Sequence, residues 1–141
     1  MLCPGCFEEQ RDTPICPHCG YDESLKRSPL VLPHRTPLNH DRYLVGRLLG
    51  KPGGFGITYL GWDERLLKAV AIKEYLPRDL AGRDAGHLTV TPHGGKEAET
   101  FAFGLSRFLE EAHTLARLDH ANLVRVRDYF EAHGTAYLVM D

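Results

Sequence analysis

All four cysteines of the chain lie in its first nineteen residues, at Cys3, Cys6, Cys16 and Cys19. They form two C-x-x-C turns within "CPGCFEEQRDTPICPHCG". A C-x-x-C turn aims two thiolates at one point, and two such turns complete a tetrahedral Cys₄ zinc site. Pro4 and Pro17 restrict the turns, while Gly5 and Gly20 permit close backbone approach to the sulfurs. The rival readings are two disulfides or a redox pair. A redox C-x-x-C is expected once, beside a strand–helix unit, rather than twice in a short segment. His18 is a fifth candidate ligand, but the cysteines already fill the tetrahedron and a solvated imidazole is the simpler reading. Phe7, Ile15 and Tyr21 are the main apolar residues here, so a bound metal must supply most of the folding energy, on the order of 10 kcal/mol.

A second cluster of chemical interest is "LLGKPGGFGITYLGWD", Leu48 to Asp63, in which Gly50, Gly53, Gly54 and Gly56 stand close together. Glycines at this density let backbone N–H groups approach an anion with no Cβ in the way. Three phosphate-binding designs use them. A Walker A loop needs G-x-x-x-x-G-K-[ST] opening a helix, and no lysine follows these glycines. A dinucleotide fingerprint also needs a helix after its glycines. Here "GITYLGWD" follows, whose β-branched and aromatic residues read as a strand, as does "YLVGRLLG" before it. The remaining design is a strand–glycines–strand hairpin that lies over nucleotide phosphates.

The elements that must position this hairpin follow in order. "KAVAIKEY" reads as a third strand after the turn "DERLL". Phe108, Ala112, Leu115 and Leu118 recur at helical spacing, which predicts an amphipathic helix over Thr100 to Leu118. "NLVRVRDYFE" and "TAYLVMD" read as two further strands joined at "AHG". With the glycine hairpin, "VAIKE" at Val70–Glu74 and a glutamate on the helix, residues from about Tyr43 onward resemble the N-terminal lobe of a bacterial (Hanks-type) serine/threonine protein kinase. The first twenty or so residues resemble the short zinc ribbons fused to many bacterial proteins.

The resemblance implies an α+β fold: a five-stranded antiparallel sheet plus one αC-type helix, behind a small N-terminal zinc ribbon, with the C-terminal lobe absent. The implied organisation is a zinc ribbon at 1–23, a linker at 24–41 and the kinase lobe at 42–141, ending at the hinge. Lys73 would hold the α- and β-phosphates of ATP and Glu111 would anchor Lys73, with Glu110 as the weaker rival for that role. Gly50, Gly53, Gly54 and Gly56 would cradle the phosphates and Phe55 would cap the tip. Thr58 and Ala71 would lie against the adenine, Met140 would be the gatekeeper and Asp141 the first hinge residue. Leu115 and Val126 would join the helix to the sheet. The implied cofactors are ATP with magnesium and a structural zinc.

The sequence departs from that pattern in several places. Pro52 removes an N–H from a loop one residue longer than G-x-G allows. Thr58 replaces the usual valine, and Ala121 stands where proline is common. The stretch from Leu76 to Thr100 is unusually long, and "HLTVTP" within it suggests a small extra strand or hairpin. No H-R-D or D-F-G motif occurs in the 141 residues. The catalytic aspartate and the magnesium ligands of phosphoryl transfer are therefore not among them, and the chain alone is expected to be inactive. A protein substrate would be engaged through the missing lobe. The alternative is a complete regulatory or interaction module with the ribbon as its docking element. A formal net charge of −2 argues against nucleic acid as a partner. So does the ribbon itself, where Arg11 and Lys26 face Glu8, Glu9, Asp12, Asp22 and Glu23. Apolar runs such as "AVAI" and "YLVM" are too short to span a membrane, and the N-terminus lacks a signal-peptide core. The expected location is the cytoplasm, with a protein partner for the ribbon as a further possibility.

Overall fold

The computed structural model describes every residue except Asp12, Ala85 and residues 119–124. The Ala121 departure and the start of "NLVRVRDYFE" lie outside the described residues. Six strands form one antiparallel sheet in the order β1-β2-β3-β4-β8-β7. They are β1 (Pro37–Leu38), β2 (Tyr43–Leu48), β3 (Gly56–Asp63), β4 (Lys68–Tyr75), β7 (Val126–Ala132) and β8 (Thr135–Met140). A separate two-stranded sheet pairs β5 (Ala81–Gly82) with β6 (Thr91–Pro92). One helix, α1, spans Gly95–Ala116.

This corrects the expected five-stranded sheet with one helix. The sixth strand comes from the segment read as linker: Leu38 pairs with Tyr43 and Pro37 with Leu44. Proline is tolerated there because β1 is the sheet edge and no neighbour needs its N–H. Asn39, His40 and Asp41 turn the chain back into β2 with φ of 51°, 54° and 65°, a left-handed region that Asn, Asp and His enter more readily than most residues. The same segment buries Val31, Leu32 and Leu38 in the main core. "HLTVTP" does form a short strand pair, because β6 returns onto β5. The helix begins five residues before the expected Thr100. Lys96 to Glu99 are good helix formers, and Glu97 in the first turn complements the helix dipole. Leu118 is 48% exposed and stays out of the core, whereas Ala112 is buried and Phe108 and Leu115 pack with Val126 and Leu138.

Alternation sorts the side chains of β3 and β4 between two faces. Tyr59 and Ile57 on β3, and Val70, Ile72 and Glu74 on β4, point into the main core. That core is closed by the residues leading into β1 and by the stretch after β4. At its centre the Glu74 carboxylate is fully buried. Its Oε1 accepts from Tyr59 Oη at 2.9 Å and Arg83 Nη1 at 3.2 Å. Its Oε2 accepts from Tyr137 Oη at 2.6 Å and Arg83 Nη2 at 2.5 Å. The rest of the guanidinium donates to the carbonyls of Leu30 at 2.5 Å and Leu88 at 2.8 Å. Tyr59 Oη also accepts the Leu32 N–H at 3.0 Å. Because Tyr137 gives its own proton to Glu74, it accepts from His133 Nδ1 at 2.9 Å. Burial and then the Arg83 charge hold His133 below its ordinary range, consistent with a neutral ring.

The N-terminal ribbon docks against β2 and β3. Tyr21 Oη and His34 Nε2 share a hydrogen bond at 2.7 Å, and Arg35 grips both carboxylate oxygens of Glu23, at 2.5 and 3.0 Å. Burial first, then the charges of Arg27 and Arg35, lower His34 to about 4 from 6.5.

Two outcomes follow from these contacts. Arg83→Met leaves Glu74 as an unpaired buried charge and should cost about 3–5 kcal/mol in urea unfolding. A change within experimental scatter would show that the network is dispensable. For His34 the unfolded chain binds the proton more readily than the folded one. Its stabilising contribution is therefore complete above about 6.5 and lost as pH falls towards about 4. The wild type should lose stability more steeply through that window than His34→Gln, which keeps an acceptor for Tyr21. Parallel pH–stability curves would count against this assignment.

Candidate functional site

The second face of the sheet carries the residues read as functional. Register places Thr58 opposite Lys73 and Leu60 opposite Ala71 across β3 and β4. On the other side of β4, Lys73 faces Leu138 and Ala71 faces Met140. Directly opposed residues share a face, so Thr58, Ala71, Lys73 and Met140 lie on one surface. Helix α1 packs over part of it through Phe108, Ala112 and Leu115.

Between the helix and the glycine hairpin lies a cavity of about 340 Å³, lined among others by Phe55, Lys73, Phe103, Arg107 and Glu111. Three separate elements thus bring Phe55, Lys73 and Glu111 to one space. Lys73 is exposed. Among the described residues, no ion pair within 4.0 Å joins Lys73 to Glu111. Glu110 and Glu111 also line a neighbouring groove with Arg107 and Thr114. Of the two acids, Glu111 alone reaches the cavity that holds Lys73.

The glycine hairpin has two positions that favour glycine. Gly50 turns the chain out of β2 with φ +76°. At Gly56 a Cβ would sit 2.5 Å from the Glu74 carbonyl oxygen, so the loop could not close onto β4. Inside the loop, Gly53 N–H donates to Gly56 O at 3.0 Å. The tip is drawn over the end of β4: Leu76 N–H donates to Phe55 O at 3.1 Å and Arg78 N–H to Gly54 O at 3.2 Å. Phe55 stands at the tip, 81% exposed. Next to Met140, Asp141 is held by Arg127 and by Lys68 at 3.3 Å. Those bonds, Arg127 foremost, keep its carboxyl below the usual range.

The four thiols form the second constellation. All four Sγ atoms lie within 4.8 Å of one another. Cys3 Sγ is 3.7 Å from Cys19 Sγ, and Cys6 Sγ is 3.8 Å from Cys16 Sγ. A disulfide needs about 2.05 Å, whereas a tetrahedron with metal–sulfur bonds of about 2.3 Å has edges of about 3.8 Å. The donor set therefore fits a four-coordinate thiophilic cation. The two turns are near copies. Phe7 N–H donates to Cys3 O at 2.7 Å and Gly20 N–H to Cys16 O at 2.9 Å. Gly5 N–H points at Cys3 Sγ at 3.2 Å and His18 N–H at Cys16 Sγ at 3.3 Å. His18 itself is exposed and outside the sulfur cluster. Burial and neighbouring thiols push Cys6 up to about 12. At Cys16, burial works upward but is outweighed by the N–H groups of Cys19 and His18 and by neighbouring thiols, which bring it down to about 6.

Sequence reasoning missed Glu74 and Arg83. The signal was in the alternation of "VAIKE", which puts Glu74 on the same face as Val70 and Ile72. Arg83 carried no such signal, because its partner lies on another element. Among the described residues, no helix is long and apolar enough to cross a membrane.

No protein-family model matches the chain. Among solved structures, the chain is similar to "PpkA-294 apo form", at 37% sequence identity and a TM-score of 0.72. The match covers 79% of this chain and 38% of that one. The chain thus corresponds to well under half of the length of that structure, and over that part the two are similar in fold.

Proposed function

We propose that the chain is the nucleotide-binding part of a serine/threonine protein kinase and that its four cysteines hold a structural zinc. The observation that carries the first half is the convergence of Phe55, Lys73 and Glu111, from hairpin, strand and helix, on one cavity. The likeness to PpkA at 37% identity supports a kinase-related role. In this reading Lys73 supplies a positive point charge to phosphate oxygens, and Glu111, across the cavity, is the carboxylate placed to pair with it. Their present spacing leaves the ammonium open to an incoming phosphate. The hairpin offers the N–H group of Gly54, where the glycine leaves the approach clear. Thr58, Ala71 and Met140, on the same face as Lys73, form an apolar seat for the base. Bound ATP supplies the transferable phosphoryl group. Its magnesium ligands and the catalytic base are not among these residues, so this part binds and orients, and the protein substrate is engaged elsewhere.

For the cysteines, the supporting observations are the tetrahedral sulfur spacing and the paired N–H···S contacts. The metal holds the two turns together where apolar burial is too small to do so.

Titration calorimetry of the zinc-loaded chain with Mg–ATP should show one site. Lys73→Ala removes a charged hydrogen-bonding partner worth about 1.5–3 kcal/mol, so Kd should rise about ten-fold or more. Equal affinity of wild type and variant would overturn the assignment. Metal analysis of purified chain should return one zinc per molecule, and a strong chelator should abolish protection of the ribbon amides in hydrogen exchange. Stoichiometric disulfides by thiol titration, with no metal, would refute the zinc site.

A further inference from the structure

The ribbon is seated on the nucleotide side of the sheet, at the strand that leads into the glycine hairpin. Arg47 N–H donates to Pro4 O at 2.9 Å, and Arg47 Nε donates to Gly5 O at 3.2 Å. Pro4 and Gly5 are the two residues between the ligands Cys3 and Cys6, so their carbonyls are aimed by whatever closes that turn. Phe7, 4% exposed, stacks on Trp62 with ring centroids 5.6 Å apart and planes 25° apart. The fit is close: a Cβ on Gly46 would lie 2.5 Å from Pro4 O and 2.7 Å from Phe7 Cζ. Trp62, Leu60 and Thr58 alternate along β3 on one face, the face shared with Ala71 and Lys73.

The outer edge of β2 explains why this matters. Its regular neighbour, β1, has two residues. Further along, Val45 exchanges bonds with Arg35 and Thr36, at 2.7 and 3.0 Å. The next outward N–H, that of Arg47, is satisfied by the ribbon. Two residues later Leu49 N–H donates to Thr58 O at 2.8 Å, the last rung before the Gly50 turn. The ribbon therefore extends the edge of the sheet up to the base of the hairpin.

We infer that metal ligation by Cys3, Cys6, Cys16 and Cys19 and the ordering of the glycine hairpin are thermodynamically linked, the metal-closed ribbon acting as a brace on β2. Metal loss unfolds a segment with almost no apolar core of its own. Phe7 then leaves Trp62, the edge of β2 is uncovered, and the hairpin frays from its base. The consequence for nucleotide affinity rests on the function proposed above. The brace itself does not, and linkage requires the reciprocal effect, tighter metal binding with nucleotide bound.

Trp62 is the only tryptophan of the chain, so its fluorescence reports docking. Hydrogen exchange at Leu49 reports the base of the hairpin. Both should be read on the full chain in three forms: zinc-loaded, chelator-stripped, and zinc-loaded Phe7→Gly. The glycine removes the stacking ring, suits the φ of 58° at that position and leaves the four thiols in place. Stripping and Phe7→Gly should both shift Trp62 emission to the red and speed Leu49 exchange by about five-fold or more. Arg47→Ala, which loses one grip and no core contact, should move Leu49 in the same direction to a smaller extent. The proposal is overturned if Phe7→Gly shifts Trp62 while Leu49 exchanges at the wild-type rate. It is equally overturned if stripped chain keeps that rate. Faster Leu49 exchange in a chain whose every form fails to bind Mg–ATP would establish the brace and refute the nucleotide reading. A higher zinc affinity in equilibrium competition with a chelator when Mg–ATP is present would establish both.

Discussion

A carboxylate with no access to water sits at the centre of this molecule, and three otherwise separate parts of the chain are organised by its need for partners. Glu74 accepts four hydrogen bonds, from two tyrosines on neighbouring strands and from both terminal nitrogens of Arg83. An isolated charge in that position would be prohibitive, so the arrangement holds only when all donors are in place. Arg83 comes from the long stretch after β4, and its remaining donors take carbonyls from Leu30 and Leu88. The residues before the sheet and the insertion within it are thereby locked to the core face of β4. Their order is enforced by polar satisfaction as much as by apolar burial.

The same strand presents Lys73 one residue earlier, on the opposite face. The rigidity gained on one side is positional control on the other, because the backbone that holds Glu74 also sets where Lys73 stands. The contrast in surroundings is chemical as well as geometric. Glu74 is saturated with partners and inert, while Lys73 is exposed beside a cavity shared with Glu111 and Phe55. In the function proposed above, this exposed cation beside a partly enclosed, largely apolar space is what receives an anion.

At the other end of the same face, the ribbon solves an edge problem. A strand next to a two-residue neighbour leaves N–H groups bare, and a hairpin hung from it would fray. The Pro4 and Gly5 carbonyls of the first C-x-x-C turn serve as that missing neighbour by accepting from Arg47. Two features that look independent in the sequence, a cysteine cluster and a glycine loop about thirty residues later, are spatially adjacent.

Much of this was legible from residue order alone. The paired C-x-x-C turns pointed to a sulfur cluster because ligand spacing is a local property. Residue content in "GITYLGWD" and "KAVAIKEY" identified β3 and β4, and helical spacing identified α1, because each element shows its character within itself. Lys73 and Glu111, which the structure brings to one cavity, were singled out because each belongs to a recognisable local pattern. What the chain order concealed depends on distant partners. Leu38 reads as part of a proline-rich linker until Tyr43 is found beside it, and the sheet then has six strands instead of five. Arg83 is one more surface charge until Glu74 and the Leu30 carbonyl surround it. Gly46 looks like a weak point in a strand until Pro4 and Phe7 leave no room for a Cβ. Sequence determines periodicity and ligand spacing, which are set over a few residues. Only the tertiary structure decides which buried charge is paired, which edge is covered and which glycine is a contact, because those are relations between residues that the chain brings together last.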